Sequence, residues 1–163
     1  LQQEVRRRLR LGYDIIQIDE CLFNAKHVSG KTWAPTSQAF VKDHRFASVP
    51  YIAVCGAISM EEGYIMGHLL TGRAFNAEDM VEFVDDLAQE KGVRKKWCVM
   101  WDNASYHRSG VVTRALHRHR IPIIQNIAYR PDFMGIEQFW GQAKRAYKGQ
   151  VNGFQARGES WDQ

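Results

Sequence analysis

The chain has 163 residues, 45% hydrophobic and 25% charged, enough for one domain with a buried core. A net charge of +4 and a pI of about 9.1 permit a polyanionic partner without requiring one. The three cysteines, Cys21, Cys55 and Cys98, form no CxxC, which argues against a zinc knuckle or a disulfide framework. No run approaches the ~18 apolar residues of a membrane span.

In chain order, residues 1–11 read as a basic helix carrying Arg6, Arg7, Arg8 and Arg10. With Leu1 at its start and no signal-peptide pattern, this segment resembles the end of a helix whose earlier part is missing. "YDIIQIDECLF", 13–23, is rich in β-formers and predicts a strand. "SGKTWAP" is a turn followed by a short possible strand around Trp33, and the stretch from Pro35 to Pro50 is polar and irregular. "YIAVCGAISM", 51–60, is apolar enough to be buried on both faces; "EEG" then turns the chain into "YIMGHLL", 64–70, giving a hairpin. Residues 76–92 form the clearest helix, with Asn76 as cap, Met80, Val84, Leu87 and Ala88 on one face, and Gly92 past its end.

"KKWCVMWD", 95–102, is another buried strand, and Ser109 can cap a helix running to about His119. "IPIIQN", 121–126, is a short strand. After Pro131 a last helix is expected to run to about Lys148 and stop at Gly149. A hairpin followed by alternating helices and strands predicts a mixed α/β sheet with helices packed on it. The expected division is a helical linker end at 1–12, one domain at 13–149 and a tail at 150–163. Each cysteine lies in an apolar, strand-like run and reads as a buried free thiol, a pattern suited to a reducing compartment.

Three acids stand out. Asp19 lies inside "IIQIDECLF", Asp102 ends "WCVMWDN", and Glu137 sits on the last helix, with 34 residues (103–136) between the last two. No Lys or Arg lies within three residues of Asp19 or within five of Asp102. A buried carboxylate without a partner is costly, and carboxylates brought together without cations repel. A divalent ion relieves both, and oxygen-only ligands favour Mg²⁺ or Mn²⁺ over zinc. The alternative is three unrelated acids at a strand end, a turn and a helix surface.

On the last helix Ile136, Trp140, Ala143 and Tyr147 form an apolar stripe. Glu137, Gly141, Lys144 and Lys148 form the next stripe, so Glu137 borders the buried face and the two lysines extend from it as a cationic track suited to phosphates. Trp33 and Trp140 read as core. "HRHR", 117–120, is a basic helix end, DNA-facing or solvated, and Arg94, Lys95 and Lys96 read as solvated.

"IDE", "WDNASYH" and "YRPDFMGIEQFWGQAKRAYK" together resemble the catalytic domain of mariner-type cut-and-paste transposases, of the DDE superfamily, over about residues 13–148. That family has Asp in an "IDE"-like strand and Asp-Asn-Ala with a nearby His. It also has a Ser-Pro-Asp-Leu-Asn-Pro-Ile-Glu entry into a helix with Trp three residues past the Glu, and 34 residues between the last two acids. Here Arg130 replaces that Ser, Phe133 the Leu, and Met134-Gly135 the Asn-Pro, which leaves the start of the helix open.

The resemblance implies an RNase H-like fold: a mixed five-stranded sheet flanked by helices. It implies that Asp19, Asp102 and Glu137 hold two Mg²⁺ or Mn²⁺ ions about 4 Å apart, which serve DNA strand cleavage and then strand transfer by the freed 3′-hydroxyl. Asn103, His107, Arg130, Lys144 and Lys148 become candidates for supporting the acids or contacting DNA, although a lone loop His is more often a surface or capping residue than a catalyst. The implied partners are transposon-end and target DNA, with a homodimer in the full-length protein and no membrane. The implied location is the nucleus in a eukaryote, or otherwise the cytoplasm and nucleoid. The competing readings are a related RNase H-fold nuclease, a domesticated DNA-binding derivative without catalysis, and an interaction protein with a basic surface.

Overall fold

The computed structural model of the protein describes residues 1–24, 50–92, 95–102, 104–126 and 134–157, with side chains to Val151. Its centre is β1 (Asp14–Phe23), where Ile15, Ile16 and Ile18 are wholly buried. Each such side chain contributes about 1.5–3 kcal/mol by leaving water. On one side β1 pairs antiparallel with β2 (Ile52–Ser59), which turns back into β3 (Gly63–Thr71). On the other side it pairs in parallel with β4 (Trp97–Trp101), which pairs in parallel with β5 (Ile123–Gln125). The order across the sheet is β3-β2-β1-β4-β5, a mixed five-stranded sheet.

Because side chains alternate along a strand, β1 and β4 each feed two cores. Ile16, Ile18, Val99 and Trp101 pack with Met80, Phe83, Val84 and Leu87 of α2 (Ala77–Lys91) and with Val112 and Leu116 of α3 (Gly110–Arg118). Ile15, Cys21, Cys98 and Met100 pack on the opposite face with Ile136 and Trp140 of α4 (Ile136–Arg157). Val5 of α1 (Gln2–Arg10) packs on that second face as well.

The expected caps form. Asn76 Oδ1 accepts from Asp79 N–H while Asp79 Oδ2 accepts from Asn76 N–H, a capping box, and Gly92 closes α2 at φ 57°. Ser109 Oγ accepts from Val112 N–H at the start of α3.

One boundary differs. The last helix does not stop at Gly149 but runs to Arg157. The apolar stripe through Ile136, Trp140, Ala143 and Tyr147 continues to Val151, which is wholly buried. An interior glycine costs a helix about 1 kcal/mol, less than burying that valine returns. The short strand expected near Trp33 lies outside the described residues.

Candidate active site

The parallel pairing of β1 and β4 sets Gln17 opposite Met100. Two residues further along β1 comes Asp19, and just past the end of β4 comes Asp102, near enough for its charge to act on Asp19. By strand alternation Asp19 belongs to the face that α4 covers, while Asp102, beyond the strand, turns one oxygen toward His107. Two contacts fix α4 there. The Oε1 of Gln17, buried on β1, accepts from Ile136 N–H at 3.0 Å and so satisfies a free donor at the start of the helix. The Trp140 indole N–H donates to Asp19 Oδ2 at 3.0 Å. Glu137 lies in the first turn between these anchors, and the space beside Gly141 is open.

The two aspartates have different environments. The Asp19 carboxyl is pushed up to about 7, first by burial and then by the negative charges of Glu20, Glu137 and Asp102. Asp102, with its side chain about half exposed, is held below the usual carboxylate range, first by the His107 imidazole and, more weakly, by the Ala104 N–H that donates to Oδ1 at 2.9 Å; partial burial opposes this.

His107 is wholly buried, neither a surface residue nor a cap. Its ring stacks on Trp101 (centroids 4.7 Å apart, planes 10° apart) and meets Tyr106 edge-on. Nε2 lies 3.0 Å from Glu20 Oε1. Nδ1 lies 2.9 Å from Asp102 Oδ1, within ion-pair range, although its N–H is not aimed closely enough for a directed hydrogen bond. Burial disfavours the charged ring, but Asp102 and Glu20 outweigh burial and push the imidazole up to about 9. His107 is therefore a buried cation bridging two carboxylates.

The remaining expected site residues divide. Lys144 approaches Cys21 on β1, and Lys148 is exposed one turn further along α4. Asn103 and Arg130 lie outside the described residues. Of the "HRHR" helix end, Arg118 and His119 are exposed and paired with Asp85. Burial raises all three thiols, as expected of inert core cysteines, and all three are free. Glu20, Gln17 and the hydrogen-bonding role of Trp140 were not foreseen. The acid pair in "IDE" marks Glu20, but nothing local marks the other two.

The donor chemistry fits a hard divalent cation. The acids on this side are carboxylates, and Asp19 is crowded by like charge with only neutral N–H donors, the Trp140 indole and the Glu20 backbone. Among the described residues no three His, Cys, Asp or Glu side chains gather tightly enough to hold a metal ion. Asp102 Oδ1 is turned toward Ala104 and His107, and Glu137 is exposed.

The chain belongs to the DDE superfamily endonucleases, whose family model matches residues 14–155. Its five-stranded mixed sheet with flanking helices is the RNase H-like fold of the Mos1 mariner transposase catalytic domain. It superimposes on a pre-cleavage Mos1 transpososome with a TM-score of 0.67 at 18% identity, covering 88% of this chain and 46% of that one. On the Mos1 strand transfer complex the TM-score is 0.66 at 20% identity, covering 87% and 45%. On the Mos1 catalytic domain solved with raltegravir and Mg it is 0.64 at 16% identity, covering 95% and 76%. The chain thus spans less than half the length of the first two. At these identities the likeness is one of fold. No curated protein matches the chain in sequence.

Proposed function

We propose that this chain is the catalytic domain of a mariner-type DNA transposase, cutting and joining DNA strands with Asp19, Asp102 and Glu137 as its acidic triad. The observation that supports the reading is the parallel β1–β4 pairing, which runs both strands toward their acids, with Gln17 and Trp140 seating the Glu137 helix on the Asp19 face. The family itself is one of endonucleases.

The three carboxylates would hold Mg²⁺ or Mn²⁺, two ions in this reading; such ions activate an attacking oxygen and stabilise a leaving one in phosphoryl transfer. Similar Mos1 structures were solved with Mg or with Mn. The chain's own residues do the rest. His107 holds Asp102 ionised and in place. Lys144 and Lys148, on the stripe that begins at Glu137, supply cations along α4 for a DNA backbone, as Asn103 and Arg130 would near the strand and helix ends. The DNA partners are transposon ends and target DNA, and the full-length protein would act as a homodimer. The reaction would take place in the nucleus of a eukaryotic host, or otherwise in the cytoplasm and nucleoid.

The test incubates the protein with labelled DNA ending in a free 3′-hydroxyl, a supercoiled target plasmid, and Mg²⁺ or Mn²⁺. Metal-dependent nicking and joined product are expected, and both should vanish in Asp19→Asn. Nicking without joining would favour a nuclease of the same fold. Salt-sensitive DNA binding with neither activity would favour a non-catalytic derivative.

A further inference from the structure

Trp140 does more than fill the core. Its indole is buried and wedged among aromatic rings, with Phe139 at 5.0 Å and Phe23 edge-on at 6.3 Å between centroids. Its six-membered ring lies against Gly56 of β2, and Gly56 is the cross-strand partner of Asp19. A Cβ at Gly56 would come within 2.7 Å of Cη2 and 3.0 Å of Cζ2, closer than side chains approach, so the seat exists only because that residue is glycine. From this seat Nε1–H reaches Asp19 Oδ2 at 3.0 Å. An indole N–H can only donate, so the carboxylate oxygen it touches is held in one orientation.

We infer that Trp140, seated on Gly56, is a positioning residue for the acidic triad: it fixes the rotation of the Asp19 carboxylate and, through the same bond, the spacing between Asp19 and Glu137. Glu137 and Trp140 are three residues apart on α4, so they project from neighbouring positions on one side of the helix. A bond from Trp140 to β1 therefore locates the turn that carries Glu137. With Oδ2 engaged by the indole, the plane of the carboxylate is set, and its remaining lone pairs are aimed to meet a cation. The alternative is that the indole merely satisfies its own N–H, in which case removing that N–H would disturb packing but not metal binding.

This inference rests on the proposed metal-dependent triad, and the experiment separates the two. Mn²⁺ binding is measured by titration calorimetry or by the electron spin resonance signal of the free ion. Trp140→Phe keeps a ring over Gly56 and deletes the donor. Should that variant fold poorly, benzothienylalanine at position 140 deletes only the N–H from a ring system of the same size.

Either variant is expected to weaken Mn²⁺ binding by about 10- to 100-fold, the usual effect of losing a hydrogen bond to a metal ligand. Gly56→Ala, which displaces the indole, should weaken it similarly. In metal-free protein the indole ¹⁵N–¹H resonance of Trp140 should move in Asp19→Asn. Mn²⁺ affinity within twofold of the parent in the position-140 variants, while Asp19→Asn abolishes binding, would overturn this inference alone. A parent protein that binds no Mn²⁺, or an Asp19→Asn variant that binds it as tightly as the parent, would overturn the triad and this inference with it.

Discussion

Asp102 lies near enough to Asp19 for its charge to act there, yet the fold treats the two acids as opposites. Asp102, at the open end of β4, is half exposed and has the raised His107 imidazole beside it, which favours its ionised form. Asp19, inside β1, has a neutral indole N–H and three acidic neighbours, so it holds its proton up to about pH 7. The difference shows where charge is missing. The protein supplies a cation to one acid and only neutral donors to the other, a difference that suits the divalent-ion site proposed above.

The largest expected effect comes from removing the uncompensated acid. Asp19→Asn should cut Mg²⁺-dependent strand cleavage by roughly 10³-fold or more, because a bound metal contributes several kcal/mol of transition-state stabilisation. Retained cleavage in a plasmid-nicking assay would mean that Asp19 is not the site's metal ligand.

Second in size is His107→Ala. It deletes a buried ring and leaves Glu20 facing Asp102 without a cation. Removing one partner of a buried ion pair costs about 3–5 kcal/mol, and the half-exposed Asp102 places this case near 3. Chemical denaturation would measure it, and a loss under ~1 kcal/mol would mean the bridge is solvated and weak.

The contrast also has a pH signature. The folded-state value for Asp19 is raised to about 7, so the metal-free fold binds a proton that the unfolded chain has already lost, and stability falls as pH rises from about 4 to 7. His107 is raised to about 9; its contribution is complete below about 6.5 and is lost as pH rises through 9. Metal-free protein should thus lose melting temperature steadily from pH 5 to 9. Asp19→Asn should flatten the lower part of that slope and leave the upper part, and a profile unchanged by the substitution would contradict the environment described for Asp19.

Smaller effects concern the helix that carries Glu137. Gln17→Leu removes the acceptor for Ile136 N–H and should cost about 1–2 kcal/mol, since a buried donor is left unpaired. A comparable loss of Mn²⁺ affinity would show that the helix start also sets Glu137. Smallest is Lys144→Ala or Lys148→Ala, each expected to reduce the salt dependence of DNA binding by about one charge, read from affinity against salt concentration. An unchanged slope would place the DNA elsewhere.

The apolar runs of β1 and β4, the hairpin and the caps at Asn76 and Ser109 were legible in the sequence because each depends on neighbours a few residues away. Asp102 stood out because no Lys or Arg lies near the end of "WCVMW"; the cation it has is His107, five residues on. The length of α4 was not, because glycine weakens a helix locally while Val151 is buried by distant partners. His107 read more readily as a surface or capping residue because its second partner, Glu20, is 87 residues away. Gln17 to Ile136 and Asp19 to Trp140 span 119 and 121 residues, and only the register of the sheet creates them.

In the proposed site a divalent cation joins what Asp19 lacks to what Asp102 and Glu137 offer. A crystal structure of the protein with Mn²⁺, read in the anomalous map, tests it directly. A Mn²⁺ peak is expected within coordination distance, about 2.0–2.6 Å, of carboxylate oxygens of Asp19 and Asp102, with Glu137 turned toward the same site. Manganese bound elsewhere, with the Asp19 and Asp102 carboxylates bare at saturating metal, would contradict it.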